Sequence, residues 1–478
     1  MRQSLFTMLR PLYHFTPEKN WINDPNGLVH LNGEWHLFYQ HNPFGIDWGH
    51  MSWGHAVSED LLHWQHLPVA LQEDEAAGVM IYSGSAAVDW PNTTGMGDGR
   101  APALIAAYTG HSAGEEDQRI AFSTDRGRTW TNSPHNPVVR IGSKDFRDPK
   151  LFWHAPTERW ITASVLADKQ QVRFYGSTNL RDWQHLSDFG PAGAHTGAWE
   201  CPDLFTLPVD GDAADTKWVL KVDNQQSVDG HAGSQIFIGQ FDGERFVCDD
   251  PPARIRPIDH ALDFYAAQSW SDAPEGRRVW LAWMTHWSYA GKLPTSPWRG
   301  MMTAPREIAL RTFDDGIHLA QQPVKEVEWL RQRQVHLAGL SAAQANTALN
   351  DAGALGAALD VQVVFEAKGA NAFGLFVREG AAERTAIGYD LQAGELFVDR
   401  SESGDMSFSP QFVERSAVKL LLKDNTLSLR VLVDAQSVEV FADDGRVVMS
   451  VQIFPQEASA GVSLFGDASV KSLDVWMM

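Results

Sequence analysis

Three carboxylates stand in unusual short stretches: Asp24 in "WINDPNG", Asp148 in "DFRDPKLF" and Glu200 in "GAWECPDLF". Taken singly, each reads as a turn or salt-bridge residue. Asp24-Pro25 and Asn26-Gly27 are strong turn signals, and Asp and Asn serve turns by bonding their own backbone. Taken together, three acids spaced 124 and 52 residues apart in similar settings invite a second reading. Two carboxylates on either side of a glycosidic bond supply a nucleophile or base and a proton donor, the basic equipment of glycoside hydrolysis.

Other motifs carry less. "GHSAG" (110–114) matches a nucleophile elbow around Ser112. An elbow needs a helix behind it, and "EEDQRIAFS" leaves no room for one. His50, His55, His63 and His66 crowd together without zinc spacing, so solvated or core histidines are expected there. No phosphate-cradling glycine loop or dinucleotide fingerprint is visible. "STDRGRTW" (123–130) matches the Asp-box turn of propeller proteins, which speaks for a fold and not for an activity.

Composition narrows the partners. The 478 residues carry a formal net charge of −21, which disfavours nucleic acid and anionic membrane surfaces and suits a neutral substrate. No stretch approaches the ~18 apolar residues of a membrane span. Cys201 and Cys248 are the only cysteines, which rules out a disulfide scaffold and suits a reducing compartment. "MRQSLFTMLRPLYHF" shows no long apolar leader core. A cytoplasmic protein is therefore expected, although a chain trimmed of its leader would begin in the same way. Nineteen tryptophans are a heavy load. Most must be core, with a few left as platforms for sugar rings.

The elements that must hold the acids are strands. "AVSEDLLHWQHL" (56–67), "AFSTDRGRTWTNS" (121–133) and "YGSTNLRDWQHL" (175–186) share Ser, any residue, Asp or Asn, a short turn, then Trp. Weaker echoes are "IGQFDGERFV" (238–247) and "ALRTFDDGIHLA" (309–320). Between them lie runs rich in β-branched and aromatic residues, such as "GEWHLFYQHN", "ALIAAYTG", "RWITASVL", "KWVLKVDN" and "RRVWLAWMTHW". Asn32-Gly33 reads as a tight hairpin. Strands in groups of about four, repeating over about 310 residues, describe a five-bladed β-propeller. The inner strands of such blades line a central channel, so acids from different blades can converge at its mouth. "VKEVEWLRQRQVHLAGL" (324–340) reads as a short connecting helix, and the alternating strands after it as a β-sandwich. The expected organisation is all-β: propeller 1–325, linker with a short helix 326–345, sandwich 346–478.

"WINDPNG", "RDPK" and "WECPD" together resemble the three signature motifs of glycoside hydrolase family 32, the β-fructofuranosidases. "FYQHNPFGIDWGHMSWGHAVSEDLLHWQHLPVAL", "YSGSAAV", "DFYAAQSW" and "PREIAL" are similar to further stretches of that family, as is "LRVLVDAQSVEVFADDG" in the sandwich. The resemblance covers nearly the whole chain and implies the same propeller and sandwich. It also implies roles: Asp24 the nucleophile, Glu200 the general acid/base, Asp148 the transition-state stabiliser. Asn23, Gln40, Trp48, Ser83 and Arg147 fall where the family holds the fructosyl unit. Tyr82 stands where Phe or Trp is commoner. Asp259, Asp263 and Trp283 are aligned as second-tier contacts. The "WGHMSWGHA" stretch is more similar to levanases and exo-inulinases than to bacterial sucrose hydrolases. The expected partner is a neutral fructose-containing oligo- or polysaccharide, with no metal or organic cofactor. Oligomeric state is left open. A fructosyltransferase would use the same residues. A non-catalytic fructan-binding protein would be expected to lack one of the three acids. Cys201 reads equally as a residue tuning Glu200 and as a buried structural thiol.

Overall fold

The computed structural model describes residues 10–97, 101–226, 233–369, 371–412 and 415–478. Most of the N-terminal stretch read above as leaderless lies outside them.

Five antiparallel units of β-strands follow one another up to Pro323. Their inner strands are Asn20–Leu31, Met80–Asp89, Phe146–His154, Trp199–Val209 and Tyr265–Ser269, in blades I to V. Each inner strand packs against the next, and the fifth returns to the first, closing the ring. The ring is fastened by a short parallel pairing of Asn20 and Trp21 with Trp298 and Arg299. This is the five-bladed propeller expected from the repeats.

The repeated serines mark one recurring turn between the third and fourth strands of a blade. Ser58, Ser123 and Ser177 bond Asp60, Asp125 and Asn179 two residues on. In each, the indole N–H of Trp64, Trp130 or Trp183 donates to a carbonyl three residues earlier, at Leu61, Gly127 or Leu180. Asn32 and Gly33 both take left-handed φ, 53° and 83°, as a two-residue hairpin requires.

The sandwich joins a six-stranded and a five-stranded sheet over a core that includes Val361, Val363, Leu375, Val431 and Val475. The connecting segment differs from expectation. Lys325–Leu330 is a 3₁₀ turn, and Arg333–Ser341 is a strand paired with the C-terminal strand Ser469–Met477. Val335 and Leu337 alternate with exposed residues, so a sheet edge buries them where a helix would not. The helix begins later, at Ala342–Asp351, where Ser341 and Gln344 form a capping box.

Propeller and sandwich share a polar seam. His14 lies between Asp434 (2.8 Å) and Glu439 (2.7 Å), fully buried. Arg306 contacts Glu439 and donates to Ser450 Oγ at 2.5 Å.

Candidate active site

The acids do not sit in turns. "NWINDPNGLVHL" is one twelve-residue strand, and its turn signals mark register breaks within it. The same break recurs on every inner strand: between Ile22 and Pro25, Tyr82 and Gly84, Arg147 and Lys150, Glu200 and Asp203, Tyr265 and Gln268. These are β-bulges, which re-aim a side chain that regular pleating would direct elsewhere. Proline suits them, because a bulged residue has no ladder N–H to lose. This accounts for Pro149 and Pro202, whereas Pro25 closes its bulge and pairs with Tyr39. Asp148, Cys201 and Ala266 adopt left-handed φ of 62°, 48° and 57° at corresponding places.

The bulges surround one cavity of about 410 Å³ at the channel mouth. Asn23, Asp24, Gln40, Trp48, Tyr82, Ser83, Arg147, Asp148 and Glu200 all line it. Each oxygen of Asp24 is occupied. Ser83 Oγ–H donates to Oδ2 at 2.6 Å, and Asn23 Nδ2 donates to Oδ1 at 3.1 Å. Asn23 is itself held by Trp21 Nε1–H at 2.7 Å. The Cys201 thiol lies 3.4 Å from Asp24 Oδ2, and burial pushes that thiol well up, so it stays a neutral donor. Asp148 Oδ2 accepts the Cys201 N–H at 2.8 Å, and the Asp148 N–H donates to Thr109 Oγ1 at 2.9 Å.

Glu200 Oε2 accepts the Tyr265 hydroxyl at 2.6 Å, and its Oε1 lies 3.4 Å from Arg147 Nε. Arg147 is shared: Glu116 takes its Nη1 at 2.9 Å and Asp145 its Nη2 at 3.4 Å. One guanidinium thus serves several carboxylates. Burial raises the Glu200 carboxyl above its ordinary value; Arg147 and Tyr265 pull it back, and Asp24 and Asp223 push it up. Burial also raises Asp148, reinforced by Glu200 and opposed by Arg147. Facing carboxyls in a desolvated site cannot all ionise easily, so the site retains a proton.

Below the mouth the channel is closed. Lys150 and Asp203 pair at 2.9 Å with almost no exposure, and Ser269 donates to Asp203 and accepts from Lys150. The cavity is a funnel with a floor.

Three residues aligned as second-tier contacts lie elsewhere. Asp263 accepts Arg400 Nη1 at 2.6 Å and the Gln452 N–H at 2.7 Å. Asp259 accepts from Ser450 Oγ at 2.6 Å and faces Arg306. Both are buried in the seam with the sandwich, because their cationic partners lie there. Trp283 is fully buried behind the wall, 4.7 Å from the ring of Trp287, and it is Trp287 that lines the cavity, together with Trp48. Residues not singled out from sequence also line it: Met51, His111, Glu116, Lys144, Asp145 and Gln225. His111 stacks on Tyr82 at 4.3 Å. Among the described residues, His50, Glu73 and Glu75 bring metal-type ligand atoms within 4.8 Å of one another. None of the three lines the cavity.

The chain is similar to known proteins over nearly its whole length. The profile "Glycosyl hydrolases family 32 N-terminal domain" matches residues 14–323, and "Glycosyl hydrolases family 32 C terminal" matches 326–477. A levanase of Bacillus subtilis is 46% identical over 98% of this chain and 70% of its own length. An extracellular exo-inulinase of Aspergillus niger is 38% identical over 93% of this chain and 89% of its own. The crystal structure of an exo-inulinase from Aspergillus awamori superposes with a TM-score of 0.89 at 34% identity, covering 98% of both chains. A β-fructofuranosidase from Schwanniomyces occidentalis, complexed with fructosyl-erythritol, gives 0.88 at 30% identity, over 98% of this chain and 97% of that one.

Proposed function

Because the chain belongs to glycosyl hydrolase family 32, we propose that it hydrolyses terminal β-D-fructofuranosyl groups of fructans, of sucrose or of both, with retention of configuration. Asp24 is the nucleophile, Glu200 the general acid and base, and Asp148 the stabiliser of the transition state. The observation that carries the reading is the convergence of these acids, from three blades, on one cavity with a donor on Glu200.

In the first step an Asp24 oxygen attacks the anomeric C2, and the C2–O bond to the leaving group breaks. The proton of Glu200 passes to the departing oxygen. Ser83 and Asn23 hold the Asp24 carboxylate in a single orientation for attack. Tyr265 holds Oε2 of Glu200 and Arg147 Nε faces Oε1, so the carboxyl that gives the proton is oriented from both sides. Hydroxyls of a bound fructosyl ring donate to Asp148 and favour its charged form, which concentrates the site's proton on Glu200. These contacts accelerate the reaction to the extent that they strengthen as the ring flattens toward an oxocarbenium ion. In the second step water attacks C2 and gives its proton to Glu200. The C2–O bond to Asp24 breaks, and the enzyme is restored.

Incubation with sucrose, inulin and levan, following fructose by chromatography, tests the reading. Fructose release from at least one is expected. Release from none, by protein of native circular dichroism, would refute it.

A further inference from the structure

Behind Glu200, on the strand Asp212–Asn224 of blade IV, Lys221 and Asp223 form an ion pair with no exposed surface. The ladder pairs Glu200 with Asp223 and Asp203 with Lys221. Cys201 and Pro202 are the bulge between them. Cys201 holds a left-handed φ of 48°, a conformation that persists in a non-glycine residue only where its surroundings impose it. Both polar groups of its backbone are held by side chains. The N–H donates to Asp148 Oδ2 at 2.8 Å, and the carbonyl accepts Lys221 Nζ at 3.1 Å. Asp223 also accepts from Ser234 Oγ, which lies 3.3 Å from the carbonyl of Phe264. Phe264 precedes Tyr265, the donor to Glu200. The pair therefore reaches Glu200 through the Cys201 peptide and through the strand that carries Tyr265.

Stability is a poor reason for this arrangement. Well-packed apolar residues often replace a buried ion pair without loss, because two desolvated charges cost about what their attraction returns. Around Glu200 the charges are otherwise unbalanced. Asp24, Asp148 and Asp223 press upon it, Arg147 is divided among several acids, and Tyr265 donates one hydrogen bond. An unneutralised Asp223 would add another anion at its back.

We propose that Lys221 is a positioning residue for proton transfer at Glu200. Its ammonium fixes the Cys201 carbonyl, and so the bulge that aims the Glu200 carboxyl, while its charge balances Asp223. The proposal rests on Glu200 being the acid, and the experiment separates the two. The readout is kcat/KM on sucrose, whose sugar leaving group needs a proton, against p-nitrophenyl β-D-fructofuranoside, whose phenolate leaves with little help.

General acid catalysis contributes about 10²–10⁴-fold, so Lys221→Met should lose at least about 30-fold on sucrose and less than about 3-fold on the nitrophenyl substrate. Lys221→Arg, which keeps charge and donors, should recover to within about 5-fold of wild type. Equal losses on both substrates, or no loss on either, would overturn the proposal. Should Lys221→Met fail to fold, Asp223→Asn reads the same ratio, since it releases Lys221 from its anchor. Glu200→Gln is run alongside. If it shows the selective loss and the Lys221 variants do not, the positioning role alone is wrong. If Glu200→Gln loses equally on both, the assignment of the acid falls, and the proposal with it.

Discussion

The Tyr265 hydroxyl donates to Oε2 of Glu200 across 2.6 Å, from the bulge of blade V to the bulge of blade IV. A donor to a carboxylate favours its ionised form and so opposes burial, which holds Glu200 up. Tyr265→Phe removes that donor, and Glu200 then keeps its proton to higher pH. The alkaline limb of kcat/KM, which marks loss of the acid's proton, should move upward. A pH profile whose limb stays in place or moves down contradicts the assignment.

Asp24→Asn should abolish turnover while the fold survives. Acid–base catalysis alone supplies about 10²–10⁴-fold, and a lost nucleophile costs at least as much. Steady-state kinetics on sucrose, with matching circular dichroism, checks this. More than about a tenth of wild-type turnover would remove Asp24 from the role.

The Lys150–Asp203 floor makes the site a funnel, which admits a chain end more readily than a chain middle. On levan or inulin, free fructose should dominate from the first minutes. Early oligosaccharides with little fructose would point to internal cleavage.

The seam at His14 carries a stability prediction. Burial lowers its pKa, but Asp434 and Glu439 outweigh burial and raise it to about 9 from an ordinary 6.5. The resulting stabilisation is complete below about 6.5 and is lost as pH rises through 9. A shift of that size corresponds to roughly 3 kcal/mol. Melting temperature should fall between pH 6.5 and 9 in the wild type, and much less in His14→Gln, which starts lower. Parallel curves for the two proteins would show that His14 does not titrate as described.

The propeller was legible because its signals are local and repeated: the Ser-x-Asp turns closing on a tryptophan, the Asn32-Gly33 hairpin, strand runs at a steady period. The three acids were legible only as a set. Asp24-Pro25 looks like a turn to any local reading, and the bulge that it makes is defined by a partner strand. That Asp259 and Asp263 lie in the seam and not in the cavity lining was hidden for a related reason. Their partners Arg306, Ser450 and Arg400 are far along the chain, and an acid's local motif does not reveal which cation it will meet. Trp283 and Trp287 sit four residues apart in one aromatic run, and only burial tells the wall from what stands behind it. The strand at Arg333–Ser341 was hidden by good helix formers, although the Ser341–Gln344 capping box was there to be read.

Retention rests on a covalent fructosyl–Asp24 intermediate, formed on the face opposite the leaving group and opened by water from the original face. The first-formed anomer of fructose reports this, provided that it is observed before mutarotation, by NMR at high enzyme concentration. β-Fructofuranose should appear first and decay into the equilibrium mixture. If α-fructofuranose appears first, the displacement is single, and Asp24 is not the nucleophile.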